Sequence, residues 1–111
     1  MITRQSLTDM IANASADRRA KIVGRALVAI FKRQTESERQ ANTVVAHNMR
    51  GFTPADAKTG SITAKYFIKH QTLLEWQVEK WLQPNSRGVA RIAKYWRQLD
   101  EVAREKAAQK G

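Results

Sequence analysis

Lys21-Ile22-Val23-Gly24-Arg25-Ala26-Leu27-Val28-Ala29-Ile30-Phe31 decides the fold. Ile22, Val23, Ala26, Leu27, Ile30 and Phe31 follow the i, i+1, i+4, i+5, i+8, i+9 order of a buried helical stripe. The pattern predicts a helix over about 16–33, with Ser15 as its N-cap and Asp17 as a negative charge in its first turn. Gly24 costs about 1 kcal/mol relative to Ala in a helix interior, so its presence marks a close crossing with another helix. Arg18, Lys21, Arg25 and Lys32 take the other side, and positions 18, 25 and 32, seven apart, share one face. That face is either simply solvated or a contact surface.

Working outward, Ser6-Leu7-Thr8-Asp9 reads as a capping box that opens a short helix ending near Asn13. Downstream, Thr35-Glu36-Ser37-Glu38 is a T-x-x-E box. It predicts a break at Gln34 and a third helix to about His47, the alternative being one continuous kinked helix. Asn48 to Phe52 is a linker, with Gly51 suited to a left-handed turn position. Phe52 is placed to staple onto Ala57. Thr53 then caps a helix over about 54–69, with Pro54 in its first position and Asp56 in its first turn. Thr59-Gly60-Ser61 is a candidate interruption; Ala64, Phe67 and Ile68 are the expected buried positions, with Ile62 a weaker candidate.

Thr72-Leu73-Leu74-Glu75 is a second box, opening a short helix with Leu74, Val78, Trp81 and Leu82 inward, and Pro84 ends it. A last helix over about 87–108 buries Val89, Ile92, Ala93, Trp96, Leu99 and Val102, and frays past Glu105. No segment alternates with period two. The expected fold is all-α, one compact domain of five to six helices spanning 1–111.

Charge bounds the function. Twenty Lys and Arg against ten Asp and Glu give a net +10 and a pI near 10.6. Such an excess concentrates polyanions, of which nucleic acid is the commonest in a cell. The absence of cysteine leaves no disulfide framework or thiol chemistry. His47 and His70 lie far apart and lack identifiable partner ligands, so no metal and no cofactor are expected. No nucleophile turn or phosphate loop is present, so no enzyme is expected. No apolar run suggests a signal peptide or a membrane span, which points to the cytoplasm.

The basic, aromatic C-terminal helix is the expected contact surface. Arg87, Arg91, Lys94 and Gln98 form a stripe at i, i+4, i+7, i+11, joined by Tyr95 and Arg97, with Lys65 and Lys69 from the helix over about 54–69. Arg and Lys neutralise phosphate, and Gln reaches backbone or base edges. Tyr95 and Trp76 offer rings to unpaired bases, the alternative being that they pack on neighbouring helices. For Trp81 and Trp96, stripe position favours packing.

Asn48-x-x-Gly51-Phe52, the pair Asp56-Ala57, and Lys94-Tyr95-x-x-Gln98-Leu99 together resemble a segment of small phage- and plasmid-borne accessory proteins. A similar segment is appended to helicase-like and other DNA-metabolism proteins. The resemblance covers about 48–99 and implies a DNA-associated setting in a bacterium or its mobile elements. It departs after Asp56-Ala57, where Lys58-Thr59 replaces an acidic-aromatic pair. The matched positions Asn48, Gly51, Phe52, Asp56, Lys94, Tyr95 and Gln98 are the candidates it supplies; turn, staple and cap roles also explain Gly51, Phe52 and Asp56. The resulting expectation is a non-enzymatic accessory protein that binds nucleic acid, DNA first, in a bacterial host cell. The rival is a module that binds and inhibits a host nucleic-acid-handling or immune complex; a homodimer is a third reading.

Overall fold

A computed structural model describes residues 2–41, 51–84 and 88–110, with the side chains of 36–41, 109 and 110 left aside. Among these residues the chain forms α1 (Arg4–Ala12), α2 (Ala16–Ala41), α3 (Ala57–His70), α4 (Glu75–Leu82), a 3-10 segment (Arg91–Tyr95) and α5 (Trp96–Lys110). The fold is all-α and compact, with a single core. The one extended pairing among the described residues is an isolated bridge between Pro84 and Ala90. No described helix is long and apolar enough to cross a membrane.

The stripe on α2 is the centre of the core. Val23, Leu27 and Ile30 are fully buried, with Ala20 and Ala26 beside them. α3 crosses α2 closely because Gly24 leaves room for the Phe67 ring; a Cβ on Gly24 would lie inside that ring. Gly60 does the same for Phe52 one level along. From the other side Leu7 and Ile11 of α1, Val78 and Trp81 of α4, and Ile92, Ala93 and Leu99 close the core.

Several element boundaries differ from expectation, each for a visible reason. α1 starts earlier because Thr3, not Ser6, is the cap: Ser6 N–H donates to Thr3 Oγ1 at 3.0 Å and Thr3 N–H to Ser6 Oγ at 2.8 Å. α1 ends where expected, at an Asn13 cap, and Arg19 of α2 donates to the last-turn carbonyls of Ile11 and Ala12 at 2.9 and 3.0 Å. α2 does not break at Gln34. The Thr35 hydroxyl folds back onto the carbonyls of Phe31 and Lys32 at 3.2 and 3.1 Å, as it does within a helix, so the box is not used as a cap. The part of the expected third helix beyond Ala41, including His47, lies outside the described residues.

α3 starts at Ala57, not at Pro54, and runs through Gly60 without interruption. Ile68, expected inside, is 47% exposed, and Ile62 is also exposed. α4 is opened by Gln77, whose side-chain oxygen accepts from Leu74 N–H at 2.8 Å; Thr72 takes no part. The register therefore buries Leu73 and exposes Leu74. The last helix is two pieces: the 3-10 segment, then α5, which stays helical past Glu105 to Lys110.

Candidate functional site

The loop 51–56 and the 3-10 segment form the most heavily bonded polar cluster in the described fold. Gly51 sits at φ 99°, a left-handed position open to glycine. Gln98 clamps it: Gly51 N–H donates to Gln98 Oε1 at 2.8 Å, and Gln98 Nε2 donates to Gly51 O at 2.9 Å. Gln34 of α2 accepts from Phe52 N–H at 3.2 Å. Phe52 then drops into the core against Trp81 and edge-on to Tyr95, with ring centroids 6.0 and 5.8 Å away. Its ring reaches the first turn of α3 at Gly60, and Ala57 packs against the same core. Thr53 makes no cap: its N–H donates to the Tyr95 hydroxyl at 3.1 Å, and its carbonyl accepts from Asp56 N–H in a tight turn.

Asp56 is the centre of the cluster and is almost fully buried. Arg91 donates to Oδ1 through Nε and Nη2 at 2.9 and 2.6 Å. Oδ2 accepts from Tyr95 OH at 2.6 Å and pairs with Lys94 Nζ at 2.6 Å. The 3-10 winding makes this convergence possible, because residues three apart eclipse and Arg91 and Lys94 come to one side. The Arg91 guanidinium also lies over the Trp81 ring at 4.6 Å. Burial pushes the Asp56 carboxyl up, but bonds from Lys94, Tyr95 and Arg91 outweigh it and hold the group below its ordinary value. Burial, helped by the bond to Asp56, raises the Tyr95 hydroxyl to about 12.

The expected contact residues therefore divide. Arg91, Lys94, Tyr95 and Gln98 are brought together, but around Asp56 and Gly51. The predicted stripe exists, and its partner is this chain's own loop. Tyr95 is buried, so its ring is not offered to unpaired bases. Trp81 is buried as expected and Trp96 half-buried. Arg97 is exposed, its guanidinium 5.2 Å from the Trp96 ring centre. Trp76 is the most exposed ring among the described residues, at 61%. Arg87 and Asn48 lie outside the described residues. No group of three or more metal-ligating side chains occurs among the described residues.

Lys65 and Lys69 belong to a second assembly. Lys58, Lys65 and Lys69 are all exposed on α3, spaced seven and four. Arg18, Lys21, Arg25 and Lys32 are exposed on one flank of α2. The flanks meet: Lys65 Nζ lies 5.7 Å from the Phe31 ring centre, and Arg25, Lys32 and Ile68 line one groove. Residues 18–35 and 57–74 contain no Asp or Glu at all. The acids of the C-terminal part, Glu75, Glu79, Asp100, Glu101 and Glu105, lie on α4 and α5. The α2 stripe was visible in the sequence; that α3 lies beside it was not, because the 24–67 crossing has no local signal beyond the glycine.

No protein-family model matches this chain, and neither a curated protein nor a solved structure matches it.

Proposed function

We propose that this chain is a non-enzymatic nucleic-acid-binding accessory protein, of phage or plasmid origin, acting in a bacterial host cell. Its contact surface is the α2–α3 face, and the contacts go mainly to phosphate. The observation that carries this reading is the acid-free pair of flanks, Arg18, Lys21, Arg25 and Lys32 beside Lys58, Lys65 and Lys69. A surface dominated by one sign, with Asp17 at its edge before Arg18, keeps most of its cations for a polyanion. Arg91 and Lys94 are committed to Asp56 and hold the fold. The motif resemblance supports the DNA-associated setting, and its residues Gly51, Phe52, Asp56, Lys94, Tyr95 and Gln98 act as one structural latch.

The test is fluorescence anisotropy of a labelled single strand and the matching duplex at two salt concentrations. The reading predicts binding of about micromolar strength at low salt that weakens steeply as salt rises. No binding to either form at low salt would overturn it.

A further inference from the structure

A groove of about 590 Å³ lies between α2, the end of α3 and the second half of α5. Its floor is aliphatic: Val28, Ala29, Ile68 and Val102. Its rim is cationic: Arg25, Lys32 and Lys106, with Glu105 the one carboxylate among the lining residues. Arg33, at the bottom, is spent on Gln98 O at 3.1 Å and Glu101 at 2.7 Å.

Ile68 is the telling residue. It is 47% exposed, on the groove side of α3, and carries the aliphatic floor out toward the basic surface. An aliphatic floor gives nothing to a duplex backbone, whose outer surface is phosphate and sugar. It also lacks the open ring face on which unpaired bases stack. The one ring that lines it, Phe67, is buried against Gly24. An apolar channel between helices with charged edges fits the apolar side of an amphipathic helix. The cationic rim selects the charge of that helix.

We infer that this groove docks an acidic amphipathic helix of a partner protein, its apolar side on Val28, Ile68 and Val102 and its carboxylates at Arg25, Lys32 and Lys106. The inference does not rest on the nucleic-acid reading. It does imply that helix and nucleic acid compete, since Arg25 and Lys32 belong to both surfaces.

The test uses the full chain and two labelled synthetic peptides of about 16 residues, long enough to form a helix. Both contain only Leu and Glu in the same proportion. One places the leucines at i, i+3, i+4, i+7, and the other scatters them. Binding is followed by anisotropy and by backbone amide shifts. The facial peptide is expected to bind at least about tenfold more tightly than the scattered one. It is expected to shift the amides of Val28, Ala29, Ile68 and Val102. Ile68→Glu, a change at an exposed position, is expected to weaken it about tenfold or more by placing a carboxylate against the peptide's apolar side. Equal binding of the two peptides would reduce the effect to charge alone and overturn the inference. So would unchanged binding by Ile68→Glu, or shifts confined to other elements. An oligonucleotide that shifts the groove amides when the facial peptide does not would assign the groove to nucleic acid instead.

Discussion

At the residue scale the fold turns on Asp56. A buried carboxylate with two cations and a phenol around it is costly to break, because removing one partner strands the others. Asp56→Asn is expected to cost about 3 kcal/mol in urea denaturation, the cations being only partly buried. The pH dependence follows from the shifts. Asp56 is held below 3.8, so its contribution is complete above that value and is lost as pH falls through the lower folded value. Tyr95 is raised from 10.0 to about 12, so its contribution is complete below pH 10.0 and is lost as pH climbs toward about 12. A melting-temperature series across that alkaline window should show the loss in the parent chain. Tyr95→Phe should remove this part of it, while lowering stability at neutral pH by about 1–2 kcal/mol through the unpaired Thr53 N–H and the lost bond to Asp56 Oδ2, which keeps only Lys94.

At the element scale the glycines decide how close α2 and α3 lie. Gly24→Ala gains about 1 kcal/mol of helix propensity but drives a methyl into the Phe67 ring. Overpacking costs about 1–3 kcal/mol, and Phe67, buried and packed directly on Gly24, must shift to yield. A net destabilisation is expected by chemical denaturation; a gain in stability would mean that the helices cross elsewhere. That some helix crosses at Gly24 was legible in the sequence as a costly glycine in a clean stripe, though not that the helix is α3; the all-α class was legible too. Helix ends were less legible, because Thr35 and Thr72 carry the letters of a cap while one bonds back into its helix and the other stands aside. The Arg91 stripe was legible as a pattern but not as a contact. Its partner, Asp56, lies 35 residues away, and the 3-10 winding that aims it there has no periodic signature.

At the scale of the whole molecule, charge is unevenly placed. Over residues 18–35 and 57–74 the α2–α3 face has cations without acids, Asp17, Glu36 and Glu38 standing toward the ends of α2, while α4 and α5 carry five of the ten carboxylates. Neutralising the acid-free face should therefore change binding without changing stability, since Lys21, Lys65 and Lys69 are exposed and lie outside the latch. Arg91→Ala should do the reverse, lowering stability and leaving the salt dependence of binding as it was.

The most direct measurement is the slope of log affinity against log salt for a labelled oligonucleotide, compared between the parent chain and the triple variant Lys21→Ala, Lys65→Ala, Lys69→Ala. Each phosphate that the protein no longer neutralises lowers the slope by about 1, so the triple variant's slope should fall by about 2–3. The slope of Arg97→Ala should stay close to that of the parent. An unchanged slope in the triple variant, with the decrease appearing in Arg97→Ala, would move the binding surface to the C-terminal helix and contradict the assignment made to α2 and α3.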